Sequence, residues 1–193
     1  EDLEPQILVH PIDRGGSILG YLIAGGKNGD DPQVSSHETK LMESISGMLG
    51  AALENAELYH RQHLTLLGTV KALSAAIDAK DQYTQGHSER VAMLSAMLAS
   101  RVGFSDEEAE RIRISGLVHD VGKIGVPESV LCKPSRLTDE EFEMIKRHPT
   151  IGYEIIKDIP DLQDVLPGVL HHHERWDGRG YPGGLSGEDI PRM

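Results

Sequence analysis

Ten residues recur at alternating spacings of four and three: Ile45, Leu49, Ala52, Ala56, Tyr59, His63, Leu66, Val70, Leu73 and Ile77. This is a seam of a and d positions sustained for more than four heptads, and it predicts one long helix. Ser35 with Glu38 three residues on is a capping-box pattern, so the helix is expected to start near Ser36. An amphipathic helix packed on its own domain would carry such a stripe. One this long asks for a further surface, and the spacing points to a parallel homodimer over residues 42–77. Ala52, Ala56, Tyr59 and His63 weaken the middle of the seam, which would let two registers lie close in energy. No proline stands between Leu41 and Pro127, so a rotation or register shift could pass along the helix.

The flanking segments differ in character. Residues 5–27 read as β: Ile7-Leu8-Val9 is a short strand, Asp13-Arg14-Gly15-Gly16 a turn, and Ile18 to Ala24 a second strand ending in Gly25-Gly26. Residues 28–36 read as a polar loop. Beyond the long helix the pattern is all-helical. A helix is expected from His87 to Arg101, another from the Ser105–Glu108 capping pair to about Val121, and another from Thr138–Glu141 to about Arg147. Pro149 ends that helix or opens the next, which runs through Ile155. A further helix is expected over 161–172, followed by a glycine-rich loop at 176–184.

The single cysteine, Cys132, excludes an internal disulfide framework and fits a reducing, cytoplasmic compartment. Cys132 also lacks a neighbouring histidine in the sequence and reads as structural. A net charge of −12 argues against a nucleic-acid polymer as partner, since phosphate backbones select basic surfaces. Apolar runs are only a few residues long, so no membrane-spanning segment is expected. The chain opens Glu1-Asp2, without an initiator methionine, and reads as an excised or processed piece.

The ten histidines are unevenly placed. Four lie before residue 64 without pattern; the others are His87, His119, His148, His171, His172 and His173. His119-Asp120 offers a metal one neutral nitrogen and one anionic oxygen, and the carboxylate can bridge two ions. An isolated pair of this kind is more simply a helix-terminal histidine beside a capping aspartate. Here Lys123 follows four residues after His119 and would share its face if the helix continued that far. His87 is expected to begin a helix, His148 to end one, and His172-His173 to lie near the end of a third. Histidines at helix ends suit ligands converging on one polar cleft, and iron, manganese, zinc and nickel all accept imidazole and carboxylate. Lone histidines are also common as satisfied core residues, and a triple histidine as a solvated run. No G-x-S-x-G, Walker or dinucleotide-binding pattern occurs.

Four stretches, in order, carry a more specific signal: Tyr83-Thr-Gln-Gly-His87-Ser-Glu-Arg-Val91, Leu117-Val-His119-Asp120-Val-Gly-Lys123-Ile-Gly-Val-Pro127, Lys146-Arg-His148-Pro-Thr-Ile-Gly152, and His172-His173-Glu174-Arg-Trp-Asp177-Gly-Arg-Gly180-Tyr181-Pro182. With them the region from about 70 to 193 resembles the HD-GYP family of the HD metal-dependent phosphohydrolases. The resemblance implies a mainly α protein with an all-helical HD-type domain that hydrolyses cyclic di-GMP to the linear dinucleotide and then GMP. By motif position, His87, His119 and Asp120 would hold one divalent transition metal. Asp120 would bridge to a second held by His148, His172 and His173. Iron or manganese is expected first, zinc or nickel as alternatives. Lys123 would contact the scissile phosphate, His171 would be incidental, and Gly180, Tyr181 and Pro182 would form an interaction loop for cyclase-type domains. Tyr83 stands where some members carry a glutamate for a third metal, so two ions are expected. The family's last metal-binding aspartate and its basic substrate-binding residues are expected beyond Met193.

Residues 5–59 more weakly resemble the C-terminal half of a GAF sensor domain, through Pro11-Ile-Asp-Arg-Gly-Gly-Ser-Ile-Leu-Gly-Tyr-Leu-Ile23 and Ala51-Ala-Leu-Glu-Asn-Ala-Glu-Leu-Tyr59. The implied organisation is a partial α/β GAF-like segment over 1–38, a coiled-coil-like connecting helix over 39–80, and the HD-type domain over 70–193. In the implied mechanism, two cations about 3.5–4 Å apart lower the pKa of a bridging water, whose hydroxide attacks phosphorus in line. The alternatives are another cyclic dinucleotide such as cyclic GMP-AMP, another nucleotide phosphohydrolase substrate, or a degenerate adaptor that only binds cyclase domains.

Overall fold

The computed structural model of the chain describes residues 7–25, 34–80 and 86–192. Residues 28–33 of the expected polar loop, Gly26 and Tyr83 lie outside them. The chain divides into two compact units, Glu1–Leu66 and Leu67–Met193.

In the first unit, β1 (Ile7–Arg14) and β2 (Ser17–Gly25) form an antiparallel hairpin that pairs Ile7 with Gly25 and Arg14 with Ser17, with a register shift between Ile12, opposite Gly20, and Asp13, opposite Ile18. Gly15 and Gly16 make the turn at φ 52° and 89°, which side-chain-bearing residues rarely adopt. β1 is longer than the expected Ile7-Leu8-Val9 because the alternation of exposure persists through Pro11 to Arg14. The hairpin lies on the long helix α1 (Ser36–Lys80). Ser46 Oγ donates to the Pro11 carbonyl, and Arg14 pairs with Glu57 and, at 3.7 Å, with Glu54. A Cβ on Gly50 would strike the Asp13 carbonyl oxygen at 2.5 Å, so the small residue is what admits the strand.

α1 starts as its cap predicts. Glu38 Oε2 accepts from the Ser35 amide at 2.7 Å, and the Glu38 amide donates back to Ser35 Oγ at 3.3 Å. The seam, however, divides. Ile45, Leu49, Ala52, Ala56 and Tyr59 are exposed, whereas Val70 and Ile77 are each only 4% exposed within the second unit. The lower end of the seam is therefore core of its own domain rather than free surface.

The second unit is helical, as expected: α2 (His87–Arg101), α3 (Asp106–Val118), α4 (Glu128–Leu131), α5 (Asp139–Ile145), α6 (His148–Ile156) and α7 (Leu166–His171), with 3-10 turns at Val121–Gly125, Pro160–Val165 and Gly187–Asp189. α2 and α3 pack through small residues, Ala92 against Gly116 and Ala99 beside Ala109 and Ile112. Ile156, Leu162, Val118, Val126, Val165 and Val169 fill the centre, each contributing about 1.5–3 kcal/mol by burial. Both predicted capping boxes form, Ser105 with Glu108 and Thr138 with Glu141.

Three boundaries differ from expectation. α3 stops at Val118, so Lys123 reaches the site from a 3-10 turn and not from a continued helix. His148 begins α6 instead of ending α5, because Pro149 lacks an N–H and suits a first helical turn. The 161–172 helix is split into a 3-10 turn and α7, with Pro167 opening the second piece. No helix among the described residues is long and apolar enough to cross a membrane.

Candidate metal centre

Three histidine rings are held the same way. His119 Nδ1 lies 2.8 Å from the Gly116 carbonyl, His148 Nδ1 2.8 Å from the Ile145 carbonyl, and His172 Nδ1 2.8 Å from the Val169 carbonyl. Each bond reaches back three residues, from a ring at a helix end to a main-chain oxygen that the helix leaves available. A carbonyl only accepts, so each Nδ1 carries a proton and each Nε2 is the nitrogen turned to the cleft. This orientation is what a metal-ligating imidazole needs.

The Nε2 atoms of His87, His119 and His148 converge on Asp120, a buried carboxylate. Its Oδ2 lies 3.1 Å from His119 Nε2 and 3.8 Å from His87 Nε2. Its Oδ1 lies 3.3 Å from His148 Nε2. His148 Nε2 in turn lies 3.0 Å from His172 Nε2, and the His173 ring is 4.3 Å from the His172 ring, centre to centre. Two groups result, His87 with His119 and Asp120, and His148 with His172 and His173; within each, the ligand atoms lie inside 4.8 Å of one another and could hold a metal. Asp120 presents one oxygen toward each group.

The electrostatics favour ligation. Burial works to raise the Asp120 carboxyl, but hydrogen bonds from His119 and His148 and the nearby charges of His119 and Lys123 hold it well below the usual carboxylate range. Burial, with neighbouring histidines, pushes His172 down to about 3 and His173 down to about 4, so both rings are neutral at pH 7. Burial also pulls His119 down, but the Asp120 carboxylate outweighs it and raises its pKa.

Lys123 Nζ reaches Asp120 Oδ2 at 3.0 Å. Its placement depends on Gly122, where any Cβ would collide with the His148 carbonyl oxygen and the Gly152 amide. That close approach brings the Lys123 turn and the start of α6 together. His171 belongs to neither group; its Nδ1 faces Glu174 Oε1 at 3.6 Å.

Of the residues expected in the interaction loop, Tyr181 also forms a wall of the site. Its ring stacks on His173 at 4.6 Å and an angle of 21°, and its amide donates to the His173 carbonyl. Burial, then the Asp120 charge, lifts its phenol to about 12, so it stays neutral. Gly180 packs against the main chain of Glu174, and Pro182 follows on the exposed side. Glu174, unassigned from the sequence, fastens the loop: its carboxylate accepts from the Gly183 amide at 2.6 Å and the Leu185 amide at 3.0 Å. Its place directly after the tandem histidines was the available signal.

Residues 71–193 match the family model described as HD domain. The chain is 42% identical over 150 residues to the cyclic di-GMP phosphodiesterase response regulator RpfG of Xanthomonas campestris, covering 77% of this chain and 38% of that protein. It is 37% identical over 158 residues to a cyclic di-GMP phosphodiesterase of Thermotoga maritima, covering 80% and 43%. It is 34% identical over 165 residues to a 3'3'-cGAMP-specific phosphodiesterase 2 of Vibrio cholerae, covering 84% and 32%. The chain thus spans less than half the length of each of these relatives.

Proposed function

The chain belongs to the HD domain family, and on that premise we propose that it acts as a metal-dependent phosphodiesterase that hydrolyses cyclic di-GMP to the linear dinucleotide and GMP. The observation that carries this reading is the Asp120 carboxylate, with one oxygen facing His87 and His119 and the other facing His148. His87, His119 and Asp120 would hold one divalent ion and His148, His172 and His173 a second. Iron or manganese suits this nitrogen-rich set with one carboxylate, as do zinc and nickel. Such ions would supply an activated water and would neutralise phosphate oxygens when bound.

The remaining roles fall to the chain itself. The main-chain carbonyls of Gly116, Ile145 and Val169 fix three rings in the ligating tautomer. Lys123 offsets charge on the phosphate as the ribose oxygen departs. Tyr181 covers one face of His173 and limits its rotation.

Hydrolysis of 3'3'-cGAMP is the second reading, favoured by the Vibrio relative of that name. Steady-state assays of the full-length protein loaded with manganese or iron, on each dinucleotide separately, test the proposal. Faster turnover of cyclic di-GMP supports the first reading, faster turnover of cGAMP the second, and turnover of neither contradicts both.

We place a GAF-like sensor segment at 1–38, the connecting helix at 39–80 and the catalytic domain at 70–193. The burial of Val70 and Ile77 confines the proposed homodimer contact to the exposed stretch from Ile45 to Tyr59. Gly180, Tyr181 and Pro182, beside an exposed Trp176, form the proposed surface for cyclase-type domains. The single cysteine supports a cytoplasmic setting.

A further inference from the structure

The last turn of α1 holds two polar groups against elements that carry site residues. Asp78 is buried, and its Oδ1 accepts from Ser88 Oγ at 2.7 Å while its Oδ2 accepts from the Ser88 amide at 3.2 Å. Ser88, itself buried, adjoins His87 in the first turn of α2. The N-cap of α2 is Gly86, which makes no side-chain cap, so Asp78 supplies from another helix the carboxylate that the first turn of α2 lacks.

Two residues on, Lys80 Nζ donates to the carbonyls of Ile124 at 3.0 Å and Val126 at 2.9 Å, and lies 3.4 Å from that of Lys123. The same carbonyls belong to the 3-10 turn that carries Lys123 and its exit. Cys132 Sγ closes on the Lys80 carbonyl at 3.3 Å from the other side. Buried Ser74 and Ile77 anchor the turn between these contacts.

We infer that Asp78 and Lys80 are positioning residues, through which the end of α1 sets the reach of His87 toward Asp120 and the placement of Lys123. The inference rests on the two-metal reading above. A hydrogen bond relayed through one residue is stiff enough for this: losing a ligand's outer partner typically costs about 10–100-fold in metal affinity. His87 is the ligand most dependent on such help. Its Nε2 is the furthest of the three histidine nitrogens from the Asp120 carboxylate, at 3.8 Å against 3.1 and 3.3 Å.

The test is cobalt(II) titration of the apo chain, followed by visible absorption, with His87→Ala and His148→Ala assigning the two binding steps. Asp78→Ala is expected to weaken the step that His87→Ala removes by about 10–100-fold and to leave the other step unchanged. Ser88→Ala, a milder change that keeps the fold, is expected to act in the same direction with smaller size. Lys80→Met is expected to keep both cobalt steps but to lower the affinity of the cobalt-loaded chain for inorganic phosphate to that of Lys123→Ala, with Lys80→Arg restoring it. Two wild-type steps left unchanged by Asp78→Ala and Ser88→Ala, or weakened equally at both sites, would overturn the Asp78 role alone. Wild-type phosphate affinity in Lys80→Met would overturn the Lys80 role. A wild-type chain that takes up no cobalt would remove the two-metal reading and this inference together.

Discussion

The Nε2 atoms of His148 and His172 face each other at 3.0 Å, and each ring has already committed its Nδ1 proton to a main-chain carbonyl. The two rings thus turn their remaining nitrogens to one point, where a single cation would be held by both. Metal binding should therefore stabilise the fold. In thermal melts, manganese or iron(II) at a hundred times its dissociation constant is expected to add about 2.7 kcal/mol over the chelated protein. His172→Ala should lose most of that increment; equal melting temperatures with metal and with chelator would contradict the assignment.

Asp120→Ala is expected to cost more than any single histidine, since the carboxylate faces both ligand groups. Elemental analysis should find neither ion retained and hydrolysis abolished. Far-UV circular dichroism should remain that of a folded helical protein, because the core of Ile156, Leu162 and Val169 does not involve Asp120.

Lys123→Ala should separate binding from chemistry. Protonated lysine is no metal ligand, so both ions stay while hydrolysis slows by about 10²–10³-fold. Metal analysis beside single-turnover rates checks this, and an unchanged rate would remove Lys123 from the reaction.

Gly122→Ala should act through geometry rather than charge. Its Cβ would collide with the His148 carbonyl oxygen, so α6 must move and take His148 with it. Overpacking of this kind typically costs about 1–3 kcal/mol. The His148 group is expected to lose metal affinity before the His87 group does, as read by stepwise metal titration.

Much of this was legible in the residues. The capping pairs at Ser35, Ser105 and Thr138 gave helix starts because a cap is a local hydrogen bond between residues three apart. The order of His87, His119-Asp120, His148 and His172-His173 indicated which side chains would meet. What stayed hidden depends on tertiary contact. Nothing local distinguishes Val70, which lies in the domain core, from Leu49, which is exposed on the same stripe. The stacking of Tyr181 on His173 follows from how Glu174 folds the loop back, and the role of Asp78 from a helix packed ten residues away in sequence.

That division of the seam changes how the dimer is tested. A charge at Val70 would strike the core and unfold the domain. Leu49→Glu with Ala56→Glu is expected to halve the mass seen by light scattering while leaving the melting temperature of the second unit unchanged. A monomeric wild type would defeat the dimer.

Anomalous X-ray scattering at the manganese or iron edge, from crystals of the metal-loaded chain, tests the central claim most directly. The account predicts two peaks, one ligated by His87 and His119 and one by His148, His172 and His173, with an Asp120 oxygen on each. A single peak, or two peaks of which one has no contact with Asp120, would contradict it.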